Sequence, residues 1–299
     1  MKLTYYRGPV PNFGDDLNNW LWPRLLPEGL LDDEEDELFV GIGSILSSAL
    51  PAAGKKFVFG AGYGGYSDLP DISESGKWDI RFVRGPLTAR KLGLDLSLAI
   101  CDSAILLRKL DKLPPPAQGI GVAVIPHFES IDRGFWANAV QDAGMHMIDP
   151  RAEVETVLSE IQGAELVIAE AMHGAIVADA LRVPWVPILP VYPAHHMKWD
   201  DWAMALEINL ERQFMPATGV MEAYIAKTKG QRYYEGRAKK YAEHTLMRPV
   251  NEIFTWRASK YLRRAATARP HMSKDSVISR QTEKAYGKIC EFVEERKSK

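Results

Sequence analysis

The stretch Ala164-Glu-Leu-Val-Ile-Ala-Glu170-Ala-Met-His173-Gly174 puts an imidazole where an apolar run gives way to helical spacing. Ala164 to Ala169 has the length and near-continuous apolarity of a parallel strand covered on both faces. From Gly174 onward, Ile176, Val177, Ala180 and Leu181 recur at helical spacing. His173 therefore stands at the edge of an open α/β sheet, where strand ends and helix N-termini form a ligand crevice. The N–H groups and dipole of a helix opening at Gly174 favour an anion. An imidazole beside that anion can exchange protons with whatever carries it. A capping or core histidine fits the same position, and both readings stand at this point. Glu170 is an awkward neighbour for an anion and reads instead as a partner that orients His173.

Other candidates sit at comparable junctions. Arg84 follows an apolar run and precedes Gly85-Pro86, a helix start. Its guanidinium suits phosphate or carboxylate in bidentate fashion, or else an ion pair between domains. His127, with Glu129 two residues on, opens a second such loop and suits donor binding, acceptor binding or a helix cap. Lys198 begins a helix and either neutralises donor charge or is simply solvated. Asn12, Asp15 and Asp16 lie in a Gly-containing turn before another helix. Amides and carboxylates there suit a hydroxyl-rich sugar, with one Asp as acceptor base, and they equally suit caps and turns. Adjacent His195 and His196 project differently, and Cys101 and Cys290 are two isolated cysteines, so neither a metal site nor a disulfide framework is expected. The glycines at 41/43 and 60–65 permit close backbone approach but lack the spacing of a dinucleotide fingerprint.

The elements that must position these residues alternate regularly. Strands are expected at Lys2–Tyr6, Glu37–Gly43, Lys56–Gly60, Ile80–Val83 and Leu98–Ile100, with helices through Trp20–Leu26, Ile45–Leu50 and Leu87–Leu92. Leu113-Pro-Pro-Pro-Ala117 reads as a stiff linker. Strands at Gly119–Ile125, Met145–Ile148, Ala164–Ala169 and Val183–Leu189 follow, with helices at Phe135–Gly144, Ala152–Gln162 and Lys198–Glu207 between or after them. This pattern predicts two α/β domains with parallel sheets and a cleft between them. The expected boundaries are 1–113, a linker at 114–117, 118–219, and a helical extension over 220–299.

The chain has 299 residues, 46% hydrophobic and 25% charged, as in a globular protein. No run approaches the ~20 apolar residues needed to span a bilayer, and the start lacks the apolar core of a secretory signal. A cytoplasmic protein without nucleic-acid partners is the expectation. Its net charge of −2 conceals an asymmetry: residues 1–220 carry 18 Lys and Arg against 30 Asp and Glu, whereas residues 221–299 carry 19 against 9. Phe254, Ala258, Tyr261, Leu262 and Ala265 form an apolar stripe beside Arg257, Lys260, Arg263 and Arg264. These helices are expected either to pack on protein or to lie peripherally on an anionic inner membrane.

Taken in order, Asn12-Phe-Gly-Asp-Asp-Leu17, Gly41-Ile-Gly-Ser44, Arg84-Gly-Pro-Leu-Thr88, Cys101-Asp-Ser-Ala104, Pro126-His127, Ala171-Met-His173-Gly174 and Lys198-Trp199 resemble the polysaccharide pyruvyl transferase family. The resemblance spans roughly residues 1–210 and is nearest to the bacterial branch that decorates succinoglycan-type exopolysaccharides. It implies two Rossmann-like domains in a GT-B-like arrangement, phosphoenolpyruvate as donor without a further cofactor, and a cyclic pyruvate ketal as product. The acceptor would be an oligosaccharide or lipid-linked saccharide. On this reading His173 and Asp15 are catalytic; Arg84, His127, Lys198 and Gly174 bind donor, and Asn12 and Asp16 bind acceptor. The first domain is then the acceptor side and the second the donor side. One position departs from the family, which commonly carries Ser-Arg-Leu-His where this chain reads Glu170-Ala171-Met172-His173. Ala171 supplies no guanidinium, so other cations must hold the donor. A nucleotide-sugar glycosyltransferase, or a non-catalytic polysaccharide-assembly protein of the same fold, is the alternative.

Overall fold

Eight short strands form two parallel sheets in the computed structural model, which describes residues 1–299 except 53, 75, 190–194, 229–235, 237–238, 241–243 and 299. The first sheet runs β1 (Lys2–Thr4), β2 (Glu37–Val40), β3 (Lys55–Phe59) and β4 (Trp78–Phe82) in sequence order. Its inner strands are buried along nearly their whole length, as their β-branched and aromatic residues require when both faces are covered. Helix α1 (Phe13–Leu25) inserts Trp22 edge-on against Phe39 at 4.7 Å, and α2 (Pro86–Lys91) follows β4.

The second sheet has the order β6 (His146–Met147), β5 (Ile120–Ile125), β7 (Ala164–Ala169), β8 (Trp185–Pro187). From β5 the chain moves to one side, then returns to pair β7 on the other. The strand order therefore reverses between β5 and β7. Around this sheet lie α3 (Phe128–Arg133), α4 (Trp136–Ala143), α5 (Val154–Gly163) and α6 (Met172–Ala180). Val124, Ile168, Val186, Trp136 and Val140 form its core.

The chain folds into two compact units, each built from segments distant in sequence. The first is Met1–Leu113, Ala194–Leu210 and Ser273–Lys299; the second is Pro114–Pro193 and Glu211–Met272. The boundary at the proline run coincides with the expected linker. The later boundaries differ from a single extension over 220–299. Helix α7 (His196–Ala205) belongs to the first unit, α8 (Val220–Lys227) and α9 (Arg248–Ala265) to the second, and α10 (Asp275–Lys297) returns to the first. The reason is packing: α10 sets Phe292 5.0 Å from Phe57 and 5.1 Å from Phe59, and Arg81 and Arg296 bind its Glu295 and the β2 residue Glu37. Meanwhile Ala258, Leu262 and Ala265 of α9 complete the second core.

Two expected elements are replaced by loops. Leu98–Ile100 forms no strand: the Asp95 carboxylate accepts from Ser97 N–H at 2.7 Å and fixes a 3₁₀ turn over Leu96–Leu98, leaving one bridge between Val83 and Ala99. Ile45–Leu50 forms no helix, because Leu46 N–H donates to Gly62 O at 3.1 Å and ties this segment to the loop after β3. Parts of the expected helical tail (229–235, 237–238 and 241–243) lie outside the described residues.

Candidate active site

The residues singled out above form two sets, one on each unit. On the second unit, His127 follows β5, while Glu170 and His173 follow β7. These are the two strands between which the order reverses, the place where open α/β sheets bind ligands. Glu170 is 1% exposed. Its carboxylate accepts from His127 N–H at 2.8 Å and from Ser130 Oγ–H at 3.0 Å, so it caps the entry to α3 and couples the two strand ends. These bonds serve the entry to α3, a role the sequence did not suggest for it. The His127 side chain is 14% exposed and its Nδ1 lies 3.7 Å from Glu129, which also accepts from Arg133 at 3.2 Å.

His173 is the second residue of α6 and is partly exposed. Gly174 is buried, and its N–H donates to Ala171 O at 3.0 Å. A Cβ at 174 would meet Ile125 Cγ2 at 2.4 Å, so glycine here lets α6 approach β5 and thereby sets the depth of His173. The donor-binding role expected for Gly174 meets an N–H already engaged.

On the first unit, Arg84 has no exposed surface. Its Nε donates to Asp201 at 3.1 Å, Nη1 to Ser44 Oγ at 2.7 Å and Nη2 to Tyr63 O at 2.7 Å. The Asp201 carboxylate, equally buried, accepts from Leu87 N–H at 2.8 Å, Thr88 N–H at 3.0 Å and Thr88 Oγ–H at 2.5 Å. Asp201 thus caps α2 while neutralising Arg84. The surrounding glycines leave room for this knot: a Cβ at Gly62 would lie 2.2 Å from the guanidinium carbon, and one at Gly85 would lie 2.1 Å from Asp201 O. Arg84 is an ion-paired residue, as one sequence reading allowed, but within one unit rather than between domains. Donor contact would need guanidinium surface that is not exposed. Asp201 went unnoticed in the sequence, although its place between the buried Trp199 and Trp202 marks it as inward-facing. Lys198, on the first turn of the same helix, is partly exposed.

Asn12, Asp15 and Asp16 begin α1. Asn12 N–H donates to Asp16 at 3.0 Å and Asn12 Nδ2 to Asp15 at 2.6 Å, so two first-turn carboxylates hold the residue that precedes the helix. Behind them the buried Asn18 amide bonds Ile42 N–H at 2.8 Å and Ile42 O at 3.0 Å, pinning α1 to the end of β2. Asn12, Asp15 and Asp16 also line an open recess of about 400 Å³ together with Tyr5, Tyr6 and Arg7, a volume in the range of small-ligand sites. Sequence reasoning missed these last three, whose signal was an aromatic pair next to a cation at the end of β1.

Two parallel α/β units, the second holding a carboxylate and two imidazoles at its topological switch point, define a protein of the ligand-binding, open-sheet class. A family model described as Polysaccharide pyruvyl transferase matches residues 2–190, and the chain belongs to that family, as an enzyme of pyruvyl transfer. It is 41% identical over 235 residues to the succinoglycan biosynthesis protein ExoV of Rhizobium meliloti (strain 1021), covering 78% of this chain and 73% of that protein. No solved structure matches.

Proposed function

We propose that this enzyme transfers pyruvate from phosphoenolpyruvate to two hydroxyls of one sugar in a bacterial exopolysaccharide or its lipid-linked precursor, forming a cyclic ketal. The observation that carries the reading is His173, partly exposed at the β5/β7 switch point of a pyruvyl transferase family member. The His173 imidazolium gives a proton to the methylene carbon of the donor, and the C2 centre becomes oxocarbenium-like. One sugar hydroxyl adds there, the C2–O–phosphate bond breaks, and the second hydroxyl closes the ring. Of the two hydroxyl protons, one reloads His173 and the other is taken by the Asp15 carboxylate and leaves with phosphate, so no external acid is consumed and Asp15 ends as it began.

Asp15 serves as acceptor base, and Asn12 and Asp16 bind the acceptor in the recess before α1. Tyr5 and Tyr6 give that recess the aromatic, hydrogen-bonding surface that suits a saccharide. On the donor side, His127 shares the switch point with His173; Lys198, a partly exposed cation on α7 of the first unit, keeps a proposed role toward the donor phosphate, and Arg84 supports the fold of the first unit. A GT-B-like pairing of the two units belongs to the same proposal. Supporting it, each unit has its own parallel sheet and the chain ends on the first.

The test is phosphate release from phosphoenolpyruvate by purified protein across a set of saccharide acceptors. Release that depends on acceptor is expected, with the product gaining a carboxylate. Acceptor-dependent turnover of a nucleotide sugar, with phosphoenolpyruvate inert, would overturn the proposal in favour of glycosyl transfer.

A further inference from the structure

The two C-terminal helices share a basic composition but not a fate. Helix α10 is packed on the first unit through Phe292, whereas α9 buries only Asn251, Thr255, Ala258, Ser259, Leu262 and Ala265. Its opposite face is open. Ile253 is 63% and Trp256 55% exposed, and Leu246, in the 3₁₀ turn just before the helix, is 76% exposed. Trp256 is the one largely exposed tryptophan among the described residues. Positions 253, 256, 257, 260 and 264 fall on a single helical face. Arg257, Lys260 and Arg264 thus stand beside the apolar side chains, with the Lys260 ammonium 3.6 Å from the centroid of the Trp256 ring. The nearby acid, Glu252, is paired with Arg248 at 3.3 Å.

Single exposed apolar residues are ordinary. Here Leu, Ile and Trp line up with three cations on a helix whose other face is already anchored in a core. Apolar side chains flanked by Lys and Arg, with a Trp at the boundary, suit the interface of an anionic bilayer, where rings enter the headgroup layer and cations meet phosphates. No described helix is long and apolar enough to cross a membrane, so the contact would lie along the surface. We propose that this face of α9 seats the protein on anionic phospholipid. The seat stands independently of the donor chemistry. It narrows the membrane contact expected of the whole basic tail to one helix face.

Co-sedimentation of the full chain with vesicles tests it. Binding is expected on phosphatidylglycerol/phosphatidylethanolamine vesicles and not on phosphatidylcholine, should weaken as salt rises, and should resist competition by inorganic phosphate. Ile253→Ser/Trp256→Ser and Arg257→Glu/Lys260→Glu should each weaken binding by about tenfold or more. Their melting temperatures should be unchanged, since all four side chains are exposed. Phosphate release with a water-soluble acceptor should also be unchanged in both variants, so a failed seat and a failed catalytic reading give different results. Three outcomes would overturn the proposal: equal binding to neutral vesicles, unaltered binding by both variants, or binding to an RNA oligomer as tight as to vesicles and insensitive to the apolar substitutions. The salt and lipid dependence of the unaltered protein decides the matter even if a variant fails to fold.

Discussion

The edges of the two sheets use similar local sequence for opposite ends. In the first sheet the strands follow one another in order, and the loops after β2, β3 and β4 close over a buried guanidinium–carboxylate knot. In the second the order reverses between β5 and β7, and His127 and His173, which follow those strands, keep partial exposure. Arg84 and His173 are both functional-looking side chains between a strand end and a helix start. What separates them is exposed surface. The three guanidinium nitrogens of Arg84 have partners from three different segments and none reaches solvent, whereas His173 rides on a helix held close by Gly174 and remains partly accessible. A charged residue at a strand edge becomes a ligand contact only where the topology opens a crevice; elsewhere the same edge has to be closed.

The closed edge of the first sheet is most vulnerable at Asp201. Asp201→Ala leaves a buried guanidinium without its counter-ion and α2 without its cap, which should cost about 3–5 kcal/mol of stability. Arg84→Ala should do the same from the other side, and removing both partners together should cost less than the sum of the two. Thermal and denaturant unfolding measure this. An Arg84→Ala enzyme of unchanged stability but raised donor KM would instead make Arg84 a ligand contact and erase the difference between the edges.

At the other edge the expected loss is in rate. His173→Ala should lower kcat by about 10²–10⁴-fold, the range for removing a general acid, while the melting temperature stays close to that of the parent protein. Retained turnover would remove His173 from the chemistry. A loss of activity accompanied by unfolding would place it with Arg84 among the clamps.

Much of the layout was legible in the chain. β7 falls on Ala164–Ala169, where a nearly continuous apolar run has no other comfortable home, and the proline run marks a unit boundary. The expected strand at Leu98–Ile100 failed because a side-chain cap from Asp95 outcompeted ladder pairing in so short a segment. The fate of the tail was hidden for a different reason. Amphipathic spacing says that a helix buries one face but not against which partner, so α9 and α10 looked alike although they complete different cores. The site divides in the same manner. Residue type and position pointed to His173 and to the Asn12–Asp16 turn, but Asp201, 117 positions from Arg84, carries no local sign of its partner.

Glu222 offers the finest test of whether buried charge here always means a clamp between opposites. It is 1% exposed on α8, and its partners are neutral donors: Thr218 N–H at 2.6 Å, Thr218 Oγ–H at 2.8 Å and Trp136 Nε1–H at 2.9 Å. Burial raises its carboxyl above the usual glutamate range, against the downward pull of those hydrogen bonds and of Arg133. A folded-state pKa above the unfolded value favours the protonated form on folding. The contribution is therefore fully present below the ordinary glutamate pKa of about 4.3 and is lost as pH rises through the folded value. Glu222→Gln fixes the neutral form but gives one carboxylate oxygen position to an amide NH₂, leaving either the indole or the Thr218 donors unpaired at a pH-independent cost of about 1–3 kcal/mol. The variant should thus be less stable in acid, and its deficit should narrow by about 1.4 kcal/mol for each unit by which the pKa is raised. Stability curves that run parallel to those of the parent protein across that range would show that Glu222 does not titrate as a desolvated acid, its neutral donors having offset the cost of burying the charge.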